Sequence, residues 1–258
     1  MKLGVCVKIT PDTDTRIKVQ GDGIDPAGVK WVVGPYDAFA VEEAIATTEK
    51  VGGEVVSYTV GDETNVAVLR GAVLALGVAR AVVVDDPALR STDALGVARA
   101  LAAAIQRDSL DGLFCGKVAV DDDNVQVPGM VSELLGWPLV SRVTAFSTEG
   151  TTFTATRSLD GGVEEVVTGP LPAVFTAERG LNTPRYAKLP AIMAAKKKPC
   201  DLVKLADLGL TAQSVAAAVT LTNWALPPER IKGRMIAGDA DTAVRELVRL
   251  LREEAKVL

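Results

Sequence analysis

Hydrophobic and polar positions in the first half of the chain alternate between two periods. LGVCVKI from Leu3, EVVSYTVG from Glu54, ARAVVVDD from Ala79 and DGLFCG from Asp111 are short, β-rich apolar runs. Between them DAFAVEEAIATTEK from Asp37, NVAVLRGAVLALG from Asn65 and DALGVARALAAAIQ from Asp93 carry apolar residues at helical spacing. Such alternation predicts an α/β fold with a doubly wound, mostly parallel sheet whose central strands are covered on both faces.

Two regions depart from the pattern. Ahead of the first helix, the alternation around RIKVQ and the Gly21-Asp22-Gly23 turn predict a hairpin inserted at a strand's carboxyl end, where insertions serve sites. After Pro138, Thr and Val alternate between turns at Glu149-Gly150 and Asp160-Gly161-Gly162, which predicts antiparallel hairpins, and LPAVFTA from Leu171 reads as another buried strand. Beyond Thr211 come Pro227-Pro228 and an amphipathic stretch, DADTAVRELVRLLREEAK. The expected division is an α/β domain over 1–210 and an extended C-terminal arm with a helix over 211–258.

Composition narrows the classes. With 258 residues, 48% of them hydrophobic and 24% charged, the chain buries a sizeable core. A net charge of -5 with dispersed basic residues argues against a nucleic-acid partner. Apolar runs such as Ala72–Leu76 and Ala81–Val84 fall far short of the roughly 20 residues that cross a bilayer. A strand follows Met1 with no leader ahead of it, so the expected location is cytoplasmic. Cys6, Cys115 and Cys200 are odd in number and widely spaced, which signals neither a disulfide framework nor zinc. The chain has no histidine, which removes Ser-His-Asp and Cys-His catalysis and histidine metal sites together. Trp31 and Trp137 are expected in the core, and Trp224 against another subunit.

The chemistry concentrates in GKVAVDDDNVQVPG, Gly116 to Gly129, where a strand ends in three aspartates before a helix. In an open α/β sheet, ligands bind outside the carboxyl ends of the strands. Aspartate also caps helix N–H groups, but one is enough for that. A metal reading lacks a second converging acidic cluster. In a nucleotide reading the turn's backbone N–H groups, Asn124, Gln126 and the helix N-terminus face a phosphate, while carboxylates bond ribose hydroxyls or tie the loop. VGDETN after the second strand and Cys6-Val7-Lys8 after the first have the same placement, so three strand ends bracket one adenosine-sized crevice.

Together VKITPD, GPYDAFAVEEA at Gly34–Ala44, GKVAVDDDNVQ at Gly116–Gln126 and PRYAKLPAIMAAKKK at Pro184–Lys198 resemble the small (beta) subunit of electron-transfer flavoproteins over essentially the whole chain. The resemblance implies a Rossmann-like, adenine-nucleotide-binding domain that acts as a non-catalytic electron-carrier subunit, with no catalytic residue of its own. It implies a heterodimer in which the large (alpha) subunit holds the redox-active FAD and this chain holds a structural AMP. Electrons arrive from acyl-CoA-dehydrogenase-type or other flavin dehydrogenases and leave to a membrane quinone oxidoreductase. Carried over residue by residue, the AMP contacts fall on Cys6, on Gly34, Pro35, Tyr36 and Asp37, on Val60, and on Gly116, Lys117, Val118, Ala119, Val120, Asp121, Asp122, Asp123, Asn124, Val125, Gln126 and Val127.

Two positions depart from the family pattern. Gly34-Pro35 stands where many relatives have Asn-Pro, and Gln126-Val127-Pro128 where they have Gln-Thr-Gly, which removes one phosphate-donating hydroxyl. Gln-Val also occurs in the electron-bifurcating branch, which binds a second FAD in this site, so that occupant is the alternative. LPAIMAAKKK looks like the AMP-binding branch. The loop 184–198 resembles the family's recognition loop, in which Leu189 inserts into a pocket on the dehydrogenase. Pro190, Ile192 and Met193 flank it, and Lys196, Lys197 and Lys198 are either a solvated face, as most short charge runs are, or steer towards an acidic partner. The rivals from other classes are an ATP-using enzyme, whose Gly- and Ser-rich phosphate loop TPDTD lacks, and a nucleotide-sensing homodimer.

Overall fold

The computed structural model describes residues 1–21, 23–229 and 232–258. Strand β1 (Lys2–Cys6) leads into a detour in which β2 (Ile9–Pro11), β3 (Val19–Gln20), β4 (Gly23–Ile24) and β5 (Trp31–Val33) form two antiparallel ribbons, β2 with β5 and β3 with β4. The second ribbon is the expected hairpin; its Asp22 lies outside the described residues. Then follow α1 (Pro35–Val51), β6 (Glu54–Val60), α2 (Asn65–Ala72), β7 (Arg80–Val84), α3 (Ala94–Ile105), β8 (Gly112–Gly116) and α4 (Val127–Leu135). Strands β9 (Leu139–Glu149), β10 (Thr152–Ser158) and β11 (Glu164–Pro170) form an antiparallel meander before β12 (Val174–Ala177), α5 (Leu189–Ala195), β13 (Cys200–Val203) and α6 (Ala240–Glu253).

Among the described residues the main sheet has nine strands in the order β11-β10-β9-β12-β8-β1-β6-β7-β13. The chain runs β1, β6, β7 to one side and returns to β8 on the other side of β1, so the order reverses between β1 and β8. This is the doubly wound, mostly parallel α/β architecture that the alternating pattern predicts. Proline at its first position and Asp37 in its first turn favour the start of α1. Phe114 and Phe175 from the parallel strands meet Phe146 and Phe153 from the meander, with centroids 4.7–5.2 Å apart, so one apolar core covers both halves of the sheet.

Four features differ from the sequence pattern. The helix from Asn65 ends at Ala72 and resumes as a single 3-10 turn, Leu74–Leu76, because Val73 leaves helical geometry at φ -127°. Strand β13 has no apolar run of its own, only CDLV at the sheet edge, which offers no periodicity to read. Trp31 is 38% exposed, on the β2–β5 ribbon outside the main sheet; Trp137 is half-buried against the core. The chain also divides into compact units Met1–Thr222 and Asn223–Leu258. The first reaches past residue 210 because Val215 is buried, Arg99 donates to Ser214 O at 2.6 Å, and Asp93 accepts from Ala218 N and Val219 N. In the second, Asp239 caps α6 through Thr242 N, and Val244, Leu247 and Val248 stand exposed on the helix. Among the described residues no helix is long and apolar enough to cross a membrane.

Charge ties the strands at the end of the sheet away from the loops after Cys6 and Gly116. Asp108, its side chain 10% exposed, accepts from Lys2 Nζ at 2.8 Å, Tyr58 OH at 2.6 Å and Arg80 Nη2 at 2.6 Å, one donor from each of β1, β6 and β7. Desolvation raises this carboxyl, but those hydrogen bonds outweigh it and hold its pKa at about 2, below the ordinary value of 3.8. A carboxylate depressed in the fold stabilises above its unfolded pKa, and that stabilisation fades as pH falls from about 4 towards 2. Asp108→Asn is therefore expected to lower unfolding free energy at pH 7 by about 1–3 kcal/mol. In chemical denaturation, the gap to wild type closes below pH 4; a gap unchanged at pH 2 counts against the ion-pair account.

Candidate functional site

The site grows from the strand ends at the switch point. Since β8, β1 and β6 are neighbours, Cys6, Gly116 and Val60 end side by side, and the loops after them lie at the same end of the sheet around one candidate crevice. The start of α1 closes the space between β1 and β8. Asp37 Oδ2 accepts Lys8 N at 2.7 Å, its Oδ1 accepts Gly116 N at 3.0 Å, and Gly34 N donates to Lys8 O at 3.0 Å. A Cβ on Gly116 would lie 2.3 Å from Asp37 Oδ1, so only glycine admits this approach. Gly61 has a similar reason: a Cβ there would lie 2.1 Å from Asn65 Oδ1, which accepts Asp62 N at the start of α2.

The three aspartates do not cap α4. Gln126 occupies the N-cap and no side chain bonds the first N–H groups of that helix. Instead Lys8 Nζ donates to Asp121 Oδ1 at 2.8 Å and Asp122 Oδ2 at 2.9 Å, while Asp122 Oδ1 accepts Asn124 N at 3.2 Å. Desolvation pulls the Lys8 ammonium down, yet the bonds to Asp121 and Asp122 outweigh it and raise its pKa. Much of the acidic charge is thus a tie from the β8 loop back to β1. Within the loop Asp123 and Val125 hold left-handed backbone, φ 56° and 55°. Left-handed geometry is costly for a β-branched residue and clusters at ligand loops.

The expected residues divide into groups by what they touch. Val120, Asp123, Asn124, Val125 and Gln126 are exposed on the loop, with Val118, Ala119 and Val127 partly exposed. Lys117 is engaged: its Nζ donates to Glu178 Oε2 at 2.7 Å and lies 4.9 Å from the Tyr36 ring centroid. Asp37 is a brace between strands. Cys6 and Cys115 are buried on adjacent strands, and Cys115 is raised by its contact with Cys6 and by burial. Among the described residues no group of acidic or cysteine side chains is arranged to hold a metal ion.

The loop 184–198 lies away from this crevice and is anchored to α1. Arg185 forks onto Glu42 at 2.9 Å and Glu49 at 2.7 Å, while Asn182 Nδ2 donates to Phe39 O at 3.0 Å and Glu43 at 2.9 Å. Leu189 is 72% exposed; Pro190, Met193, Lys196 and Lys197 are exposed too, and Ile192 packs on the core. Lys198 turns inward, its Nζ donating to Leu74 O at 2.8 Å and Val78 O at 2.7 Å. One contributor carries no motif signal of its own, Glu178, which neutralises Lys117; Lys8 lies in the VKITPD segment, but its partners on the β8 loop are visible only in the fold.

Strand order and loop placement define a doubly wound α/β domain with a candidate ligand site at the switch point. Residues 23–208 match the family profile described as "Electron transfer flavoprotein domain". The chain is similar to "Electron transfer flavoprotein subunit beta" of Bacillus subtilis (strain 168), 37% identical over 259 residues and covering 100% of both chains. It is 36% identical to the protein of the same name from Syntrophomonas wolfei, across 100% of this chain and 98% of that one. With the Mus musculus subunit it shares 36%, across 98% and 97%. The chain belongs to the electron transfer flavoprotein family, with its beta subunits.

Asp37 sets a pH signature. Desolvation pushes its carboxyl up to about 7 against the two backbone donors. A carboxyl raised in the fold keeps its proton where the unfolded chain has lost it, so its contribution to stability falls as pH rises from about 4 to 7. The stability difference between wild type and Asp37→Asn is expected to shrink over that window in urea titrations; a difference that grows with pH counts against it.

Proposed function

We propose that this chain is the small subunit of a heterodimeric electron-transfer flavoprotein and holds AMP at the β1/β8 switch point. The reading is supported chiefly by one observation: the uncapped N-terminus of α4 opens on a loop with two left-handed residues, next to a glycine that excludes any side chain. The residues present fit a nucleotide: Gln126 and backbone N–H groups of the loop face the phosphate, and the Gly34–Asp37 turn and Val60 flank the adenosine. The FAD that the large subunit holds supplies the electron-carrying chemistry; this chain shapes the edge of that flavin's site.

The exposed apolar residues Leu221, Trp224 and Leu226, with the arm beyond them, dock on the large subunit. Leu189, Pro190, Met193, Lys196 and Lys197 form the docking surface for flavin dehydrogenases of the acyl-CoA-dehydrogenase type, with Ile192 packed beneath them on the core, and a membrane quinone oxidoreductase is the acceptor. The protein works in the cytoplasm as an electron carrier, not as an enzyme in its own right.

Denaturing the co-expressed heterodimer is expected to release one AMP and one FAD. Gln126→Leu lowers retained AMP and Tm together, because a ligand bound only to the folded state stabilises it by mass action. Two FAD and no AMP overturn the assignment in favour of the bifurcating alternative.

Leu189→Ala tests docking. A leucine seated in a partner pocket contributes roughly 1.5–3 kcal/mol, or about one to two decades in affinity. The variant is expected to need correspondingly more acyl-CoA dehydrogenase for half-maximal reduction, with flavin spectrum and Tm unchanged, as its exposure implies. A drop of several degrees in Tm defeats the docking role.

A further inference from the structure

Helix α5 has seven residues, too short to persist without support. Its C-terminal carbonyls are held by a residue from another helix. Arg70, in the last turn of α2, donates through Nη1 to Ala195 O at 3.2 Å, to Lys196 O, and to Lys198 O at 3.3 Å. The reverse contact runs from Lys198, just past α5, to the carbonyls of Leu74 and Val78 that close the turn after α2. Arg70 thus places a cation at the C-terminal end of α5, where the helix dipole favours positive charge, and Lys198 places one on the 3-10 turn that follows α2. Burial lowers the Lys198 pKa, in keeping with a cation committed inward.

We infer that Arg70 and Lys198 form a reciprocal cap that positions α5 for docking, which makes Arg70 a positioning residue for the partner surface although it touches no partner. The inference rests on the docking role of α5 proposed above. Arg185 and Asn182 anchor the start of the loop on α1, and the cap anchors its end on α2. Between these two points Leu189 and Met193 project from a helix tied at both ends, so docking loses less conformational freedom. Helix α2 itself begins at the Gly61–Asn65 turn beside the candidate crevice, so the cap connects the docking helix to the element that borders the crevice.

The test uses the heterodimer with Arg70→Met and with Arg70→Lys, which restores a cation able to reach the same carbonyls. Amide hydrogen exchange over 189–198 is expected to quicken in Arg70→Met and to recover in Arg70→Lys. The KM for a flavin acyl-CoA dehydrogenase with its acyl-CoA substrate is expected to rise roughly tenfold, the equivalent of about 1.4 kcal/mol, with kcat at saturating dehydrogenase and the flavin spectrum unchanged. Unchanged exchange overturns the cap. Faster exchange with an unchanged KM, while Leu189→Ala raises it, overturns the positioning role. If neither variant raises KM, the docking reading fails and the positioning role with it. Where Arg70→Met does not fold, Arg70→Gln, which keeps one donor, is read by the same criteria.

Discussion

A carboxylate from the first turn of α1 holds the carboxyl ends of β1 and β8 together, and the candidate site depends on that tie. Asp37 accepts one backbone N–H from each side, Lys8 N just past β1 and Gly116 N at the end of β8. Parallel strands that splay at a switch point leave unpaired N–H groups, and burying these without an acceptor is costly. The same carboxylate requires glycine at Gly116 and draws α1 close enough for Gly34 to bond Lys8 O. Once β1 is fixed there, Lys8 reaches across and binds Asp121 and Asp122, which shapes the loop ahead of α4. Brace, glycine and lysine thus form one arrangement in which each member depends on the others.

The docking loop repeats this logic with a different chemistry. Glu42 and Glu43, buried or half-buried on α1, face the loop instead of solvent, and Arg185 and Asn182 meet them. A bidentate guanidinium on two carboxylates fixes direction as well as distance. The GPYDAFAVEEA and PRYAKLPAIMAAKKK segments, far apart in the chain, are therefore two sides of one contact. It leaves Leu189 and Met193 outward because the polar side of the loop is spent on α1 and α2.

Much of the fold was legible because it is local. Continuous apolar strands, helical spacing, Gly34-Pro35 at a helix start and Gly-rich hairpin turns each act within a few residues, and the structure has elements in those places. The losses follow from the same fact. CDLV is a strand only because β7 offers it an edge; NVAVLRGAVLALG has helical spacing throughout but breaks at Val73, where the chain turns to meet α5. Trp31 carries a core-like side chain on a short ribbon outside the main sheet.

By itself, the sequence determined the class of protein, the alternation of elements, the absence of histidine chemistry and the stretches that carry the family's motifs. Only the tertiary structure decided what the charged residues in those stretches do. Lys8 and Asp121 are 113 residues apart, Arg70 and Lys196 126 apart, and Asp37 and Gly116 79 apart. A side chain's partner at such separations is set by strand order and helix placement, which no local periodicity encodes. An aspartate run that suggests a helix cap or a ligand cradle becomes in large part a lysine's counter-charge, and a lysine run that suggests a steering patch gives up its last member to a helix end.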